Sequence, residues 1–180
     1  MQRSRAGIMR LGTLLVLAGP KGVGKSWAAD SAGREFGVHY VDADLLILDL
    51  LERGSRPDPH DGWLSPVQSA VLDALSWYPA VSAEVTGAWE SDYKLIRNVE
   101  DAGHRVVRIW ICAPLEETLA RLRGRTARKV QVPEREARET YQQAVDRARS
   151  EHWDATIETS GAERPDTAKA LIRRLLEGSA

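Results

Sequence analysis

A glycine-rich stretch near the amino terminus has the residue types needed to hold a polyphosphate. Residues 19–26 read Gly-Pro-Lys-Gly-Val-Gly-Lys-Ser and fit the pattern G-x-x-x-x-G-K-S/T at every position. Glycines let backbone N–H groups turn inward around an anion, where a side chain would collide. In this pattern Lys25 reaches the β- and γ-phosphates, and the Ser26 hydroxyl coordinates Mg²⁺. We therefore predict that a nucleoside triphosphate contacts Gly19, Lys21, Gly22, Val23, Gly24, Lys25, Ser26 and Trp27.

Two aspartates further along the chain could bring carboxylates to the same phosphate. Asp42 and Asp44 follow the apolar run that ends at Val41. Side chains alternate along an extended backbone, so we expect both carboxylates on one side of it. Asp42 would hold a metal-bound water, and Asp44 would accept the proton or hydrogen bond of an acceptor hydroxyl. The alternative is that Asp44 only caps the helix beginning near Leu45.

A basic segment provides candidates for stabilising the transferred charge. Residues 121–129, RLRGRTARK, hold five basic residues and no acidic residue. Guanidinium groups closing over the γ-phosphate would stabilise charge and exclude water, with Gly124 as a hinge. Arg121 and Arg125 lie one helical turn apart and are the predicted catalytic arginines, and Arg128 is a further nucleotide contact. A solvated basic helix end and a nucleic-acid patch are the alternatives.

Short apolar runs alternate with helix signals along the chain. This alternation predicts a parallel sheet with helices on both faces, and ligands of such sheets bind at the carboxyl ends of the strands. The predicted strands are residues 14–18, 38–41, 80–85, 106–112 and 155–159. The predicted helix starts are a capping box at Ser65–Gln68, caps at Ser91 and Asp166, and prolines at Pro114 and Pro133.

Composition limits the classes of function. A chain of 180 residues with a net charge of −1 predicts one domain over residues 1–180 and argues against coating nucleic acid or a membrane. No apolar run reaches the length of a membrane span. Cys112 is the single cysteine and cannot form an internal disulfide, which favours a reducing compartment. The apolar residues 11–18 resemble a signal peptide but are needed as the strand before the glycine-rich loop. We therefore predict a cytoplasmic location.

Several of these segments resemble a known family. The glycine-rich loop, the Asp-x-Asp element at residues 42–44 and the compact length resemble the shikimate kinase and adenylylsulfate kinase group of small P-loop kinases, within the nucleoside monophosphate kinase-like superfamily. "WICAPLEETLARLRGR" is similar to the fourth strand and the helix entering the lid of that group, and "DATIETSG" to its fifth strand and adenine-side loop. The resemblance implies a three-layer α/β/α P-loop NTPase fold with a five-stranded parallel sheet in the order 2-3-1-4-5. It also implies a small helical lid at about residues 121–135.

Departures from that group argue against its best-known acceptor. Shikimate kinases have a triple-glycine stretch after the third strand, where this chain reads Ala-Glu-Val-Thr-Gly-Ala at residues 83–88. Their substrate-binding arginine has no match within "DGWLSPVQSAVLDAL". The Asp-x-Asp-x-x-Arg pattern of polynucleotide kinases is also broken, because Ile47 stands at the arginine position. The resemblance therefore indicates neither shikimate nor a polynucleotide end as the acceptor.

Four further residues are predicted to bind the acceptor together with Asp44. In the superfamily, the end of the third strand supplies an acid that orients metal-bound water or contacts the acceptor. Glu84, with Gly87 nearby, occupies that place, although a solvated loop carboxylate is the alternative. Trp63 and Trp89 flank these loops and could stack on a ring or sugar, although burial in a core is the more frequent use of tryptophan.

These residues together predict an ATP- and Mg²⁺-dependent kinase that passes the γ-phosphoryl group to a hydroxyl of a small molecule. Lys25 and the lid arginines would stabilise the moving charge, and Ser26 and Asp42 would hold the metal. No Asn-Lys-x-Asp guanine motif is present, which argues against a GTPase. A nucleotide or nucleic-acid-end kinase and a nucleotide-binding regulator without transfer are the alternatives. We expect neither nucleic acid nor membranes as partners. We expect the chain to be a monomer or a homodimer.

Overall fold

Parallel strands form one sheet at the centre of the molecule. The computed structural model describes residues 11–58, 62–124, 132–160 and 164–178. Within these residues five strands pair in the order β2-β3-β1-β4-β5, and every neighbouring pair is parallel. The predicted sheet and its strand order are therefore confirmed. The strands are β1 (Thr13–Ala18), β2 (His39–Val41), β3 (Ala80–Val85), β4 (Arg105–Cys112) and β5 (Ala155–Glu158).

Helices cover both faces of the sheet, as the predicted three-layer arrangement requires. They are α1 (Lys25–Phe36), α2 (Ala43–Glu52), α3 (Leu64–Trp77), α4 (Glu90–Asp101), α5 (Leu115–Arg123), α6 (Glu134–Ala148) and α7 (Arg164–Glu177). Successive strand residues point to opposite faces. Leu14 and Val16 of β1 therefore pack in the core formed with α3 and α4, while Leu15 and Leu17 pack in the core formed with α1 and α7. Burial of apolar surface on both faces is the main stabilising contribution to this arrangement.

The start of α2 differs from the sequence prediction. The strand β2 ends at Val41, and the Asp42 side chain caps α2 by accepting a hydrogen bond from Leu45 N at 3.1 Å. Asp44 lies in the first turn of the helix. The expectation that the two aspartates share one side of an extended backbone is therefore wrong, and the capping residue is Asp42 rather than Asp44.

Three other helices begin earlier than predicted. Ser65, Ser91 and Asp166 lie inside the first turns of α3, α4 and α7 rather than at the N-cap positions predicted for them. The first-turn N–H groups of a helix have no helical partner, so Pro66 is tolerated inside α3 without losing a hydrogen bond. The predicted starts at Pro114 and Pro133 are confirmed, because these prolines directly precede α5 and α6.

The register of the central strands brings three chain segments to one edge of the sheet. Ala18 of β1 pairs with Val85 of β3, and Val41 of β2 pairs with Ala83 of β3. The glycine-rich loop that follows β1, the residue Asp42 that follows β2 and the end of β3 therefore lie side by side. This carboxyl edge is where parallel sheets of this kind bind ligands.

The predicted lid lies partly outside the described residues. α5 ends at Arg123, with Gly124 as its C-cap, and residues 125–131 are not described. The lid at residues 121–135 and the domain limits 1–180 therefore stay predictions. No helix within the described part of the chain has the length and apolarity of a membrane-spanning segment.

Candidate active site

The glycine-rich loop between β1 and α1 has the backbone geometry of an anion-binding loop. Gly22 and Gly24 adopt left-handed φ angles of 92° and 102°. A Cβ on Gly22 would lie 2.8 Å from the Thr118 carbonyl oxygen, so a larger residue would collide with α5. Gly24 is the N-cap of α1 and has no side chain that could occupy the first-turn N–H groups. These N–H groups and the positive end of the helix can therefore receive phosphate oxygens.

Lys25 is held inside this loop. Its side chain is buried, and Nζ donates hydrogen bonds to the carbonyl oxygens of Gly19 at 2.8 Å and Pro20 at 3.1 Å. A buried ammonium group needs such acceptors because desolvation of a charge is costly. Polyphosphate oxygens are stronger acceptors than carbonyls, so a nucleotide tail in the loop can draw the same Nζ into charge-assisted hydrogen bonds.

Packing of the glycine-rich loop determines how much of Val23 and Trp27, two of the predicted nucleotide contacts, is exposed. Val23 is fully buried in the core between the sheet and α1, so only its backbone is available to a nucleotide. Trp27 is partly buried against the same core. Lys21, in contrast, lines the open cleft beside the loop.

A cleft of about 710 Å³ lies between the glycine-rich loop and the ends of β2 and β3. Its size falls within the range of roughly 300–1,000 Å³ that is usual for small-molecule sites. Gly87, also predicted there, is absent from the described lining. The structure brings together seven of the predicted site residues as lining of this one cleft: Lys21, Lys25, Asp42, Asp44, Trp63, Glu84 and Trp89.

Tyr40, which is not among the residues predicted from the sequence, connects several of these residues. Its phenol donates a hydrogen bond to Oε1 of Glu84 and is hydrogen-bonded to Ser26. Burial, and next the Glu84 carboxylate, raise the pKa of Tyr40 well above its ordinary value, so the phenol keeps its proton. The Ser26 hydroxyl can therefore donate its hydrogen bond to the Tyr40 oxygen. The sequence did contain one signal for it. Tyr40 stands two residues before Asp42, and side chains two residues apart on a strand point to the same face.

A partly buried carboxyl group, Asp92, holds the loop after β3 and was also missed. Asp92 Oδ2 accepts hydrogen bonds from Thr86 Oγ1 at 2.7 Å, Gly87 N at 2.8 Å and Trp89 N at 3.4 Å. Burial is the largest influence and raises the pKa of Asp92, while these three donors act in the opposite direction. The sequence contained a signal for this contact. Asp92 stands three positions after Trp89, and an acidic side chain at that position of a helix can bond to the backbone N–H of the N-cap residue.

Gly87 contributes through its backbone. Its φ is 72°, and a Cβ there would lie 3.0 Å from the Trp110 ring. The residue therefore shapes the loop that carries Trp89 to the cleft. Its predicted role in binding the substrate stays a prediction.

Arg121 contacts the loop that follows β5, whereas Asp44 follows β2 at the other edge of the sheet. Its guanidinium donates to Thr159 Oγ1 at 2.9 Å and to the Thr159 carbonyl at 2.8 Å, and a third bond reaches the Gly22 carbonyl at 3.5 Å. It also pairs with Glu117 one turn earlier in α5. Arg121 thus connects α5, the loop after β5 and the glycine-rich loop. The predicted contacts of Arg125 and Arg128 lie outside the described residues.

A divalent ion at this site would share its coordination with phosphate oxygens. Among the described residues no three histidine, cysteine or acidic side chains form a metal-binding group. Mg²⁺ is usually held by one or two carboxylates together with substrate phosphates and water. Ser26, in the first turn of α1, and Asp42, at the cleft, supply the hydroxyl and carboxylate oxygens that this mode would use.

The fold matches solved structures of small P-loop kinases. The sequence matches no protein-family model and no curated protein. A gluconokinase from Sinorhizobium meliloti 1021 superimposes with a TM-score of 0.65 and 18% identity over 94% of this chain and 95% of that one. A shikimate kinase from Acinetobacter baumannii in complex with shikimate gives a TM-score of 0.61 and 21% identity over 95% and 96%. A tunicamycin resistance protein from Deinococcus radiodurans gives a TM-score of 0.63 and 21% identity over 91% of this chain and 95% of that one.

Proposed function

We propose that this chain, which has the fold of the small P-loop kinases, is an ATP- and Mg²⁺-dependent kinase that transfers the γ-phosphoryl group to a hydroxyl group of a small-molecule acceptor. The observation that supports this most strongly is that Lys25, at the anion-binding loop, and Asp44, on α2, line the same cleft. A site that only stored nucleotide would not need a carboxylate and a cavity of about 710 Å³ beside its phosphate loop.

The residues around the loop supply positioning and charge for an in-line transfer. The first-turn N–H groups of α1 and the Lys25 ammonium hold the triphosphate and stabilise charge on the moving group. Ser26 and Asp42 would hold Mg²⁺, which when bound would neutralise charge on the phosphate oxygens. Arg125 and Arg128 are proposed to approach the same phosphate from the lid.

Asp44 is proposed to act on the acceptor. It lies in the first turn of α2, lines the cleft and forms no hydrogen bond or ion pair with another described residue. Its carboxylate is therefore available to accept the proton or hydrogen bond of an acceptor hydroxyl while the oxygen attacks the γ-phosphorus. The products are a phosphate monoester and ADP.

The test is ADP release from Mg-ATP across a panel of hydroxyl compounds, with mass spectrometry of the acceptor. A supporting result is an acceptor-dependent ADP signal with an equal yield of phosphorylated acceptor. The Lys25→Met variant is expected to turn over at least about 100-fold more slowly, as removal of a transition-state donor typically causes. Lys169→Met is the matched control, because Lys169 pairs with Glu35 away from the cleft. ATP binding without transfer to any compound would contradict the proposal.

A further inference from the structure

The wall of the cleft away from the glycine-rich loop is mainly apolar. Helices α2, α3 and α4 present aliphatic side chains there, and the tryptophans at the N-caps of α3 and α4 line the same space. Trp89 is half-exposed at this wall, so its ring is accessible to a ligand. The apolar and aromatic lining residues include Ile47, Trp63, Leu64, Val67, Trp89 and Leu95. Aromatic rings bury large ligand surfaces and suit the faces of sugar and base rings.

Most of the carboxyl groups at the cleft already have partners. The Asp92 carboxyl accepts three hydrogen bonds from the loop after β3, and Glu84 accepts one from Tyr40. Glu90 forms ion pairs with Arg97 and Arg147. Asp44 is the carboxylate that remains for the acceptor, while Asp42 is placed for the metal. A negative side chain thus faces the acceptor, and it would repel an anionic group close to it.

Cations are few on this side of the cleft. The described lining includes three lysines, Lys21, Lys25 and Lys94, and no arginine or histidine. Lys21 and Lys25 belong to the glycine-rich loop and serve the triphosphate. Planar carboxylate and phosphate groups are bound most specifically by the paired N–H groups of arginine. Among the described residues that line the acceptor side of the cleft there is no arginine, and Lys94 of α4 is the one cationic side chain.

From this distribution of charge we infer that the acceptor is a ring-bearing polyhydroxyl compound without an anionic group, either neutral or amine-bearing. The inference rests on the proposed function and specifies its substrate class. The ring packs against Trp63 and Trp89, and its reactive hydroxyl is directed to Asp44. An amine on the acceptor would gain from the same carboxylate, whereas a carboxylate or phosphate would have to leave water with no arginine among the described lining residues to bind it.

Matched sets of acceptors test the inference. Each set keeps the ring and changes one group: glucose, glucosamine and glucuronate; inositol, an aminoinositol and quinate; uridine, 5-aminomethyluridine and orotidine. Acceptor-dependent ADP release is measured with the full chain and Mg-ATP. In every set that supports turnover, kcat/KM for the neutral or amine member is expected to exceed that of the carboxylate member at least about tenfold, an ordinary cost for an unpaired charge.

Two variants report on the wall itself. Trp89→Leu is expected to raise acceptor KM about fivefold to tenfold at unchanged KM for ATP, as loss of ring stacking does. Trp77→Leu is the matched control, because that indole is 80% exposed and is not among the lining residues. Lys94→Met is expected to change kcat/KM for neutral acceptors less than about threefold, since a partly solvated cation contributes little to binding an uncharged ligand.

The outcomes separate this inference from the proposed function. A carboxylate or phosphate compound that is turned over as well as, or better than, its neutral partner overturns the inference and leaves the kinase assignment standing. Absence of ADP release with every compound, in a chain that binds ATP, overturns the kinase assignment and this inference with it.

Discussion

The phenol of Tyr40 donates a hydrogen bond to the carboxylate of Glu84 and is also bonded to Ser26. This contact joins β2 and β3 to the first turn of α1, and so connects the acceptor side of the cleft to the residue proposed to hold Mg²⁺. Groups that hydrogen-bond to a metal ligand orient it, and Tyr40 is such a group for Ser26. The geometry of the proposed metal site therefore depends on a residue that contacts neither nucleotide nor acceptor in our proposal.

Replacing Tyr40 with phenylalanine should weaken Mg²⁺ binding. The variant keeps the ring but leaves Glu84 and Ser26 without the phenol, and loss of such a supporting group typically costs about 10–100-fold in metal affinity. The measurement is the Mg²⁺ concentration that gives half-maximal ADP release. Tyr78→Phe is the control, because that ring stacks on His39 outside the cleft. An unchanged Mg²⁺ requirement in Tyr40→Phe would contradict the role given to this contact.

Replacing Gly22 with alanine should damage the glycine-rich loop. The residue has a left-handed backbone, and a Cβ would lie 2.8 Å from the Thr118 carbonyl. We expect a loss of about 2–4 kcal/mol in the free energy of unfolding, from backbone strain and collision together. Gly54→Ala is the matched control, since its φ of 79° gives similar strain with no atom within 4 Å of the added Cβ. Urea unfolding measures both, and equal losses would show that the contact with α5 is unimportant.

Arg121 should act through binding of the nucleotide rather than through the transferred phosphoryl group. Its N–H groups are bonded to Thr159, Glu117 and Gly22, so Arg121→Ala removes a link between the glycine-rich loop and the loop after β5. We expect KM for ATP to rise about tenfold, the cost of roughly one charged hydrogen bond, with kcat changed less than about threefold.

The control for Arg121 is Arg123→Ala on the same helix. Arg123 forms an exposed ion pair with Glu134, and such pairs contribute little. If Arg121→Ala instead slows turnover by about 100-fold or more, the catalytic role predicted from the sequence is supported, because that pattern indicates an interaction made only in the transition state.

Asp92 should make stability depend on pH. Burial raises the pKa of Asp92 in the folded chain above its unfolded value of about 3.9, so the folded state binds more protons between those two values. The stability contributed by this group is complete below about pH 4 and is lost as pH rises through the folded pKa. The free energy of unfolding of the wild type, relative to Asp92→Asn, should therefore fall as pH increases.

Chemical unfolding of both chains at several pH values measures this difference. Asp101→Asn, at the exposed end of α4, is the control and should show no such trend. A relative stability that instead increases with pH would mean that the three hydrogen bonds from Thr86, Gly87 and Trp89 outweigh burial and favour the charged form.

The sequence was sufficient for the fold and for the position of the glycine-rich loop between β1 and α1. Alternating apolar runs and helix signals specify a parallel sheet, and the glycine spacing at residues 19–26 has few structural alternatives. The helix starts were less predictable. Asp42 and Asp44 can both cap α2, and Ser65 and Ser91 have capping side chains yet lie inside α3 and α4, because tertiary packing shifts helix ends by a residue or two. The acceptor side depended on tertiary contacts that no local pattern encodes.

Tyr40 and Asp92 show this limit most clearly. A tyrosine in a short strand usually packs in a core, and an aspartate in a first helical turn usually faces water. Their roles follow from partners far along the chain or around a loop: Glu84 for Tyr40, and the N–H groups of Gly87 and Trp89 for Asp92. The charge distribution that restricts the acceptor likewise becomes readable only when three helices and two strand ends are assembled.

A crystal structure of the full chain with Mg²⁺ and a non-hydrolysable ATP analogue tests the central claim most directly. We predict the γ-phosphate within about 3.2 Å of Lys25 Nζ, the metal beside Ser26 and Asp42, and the Asp44 carboxylate facing the γ-phosphate across the cleft. A triphosphate bound in the loop with Asp44 directed away from the γ-phosphate and no open path between them would contradict the kinase assignment.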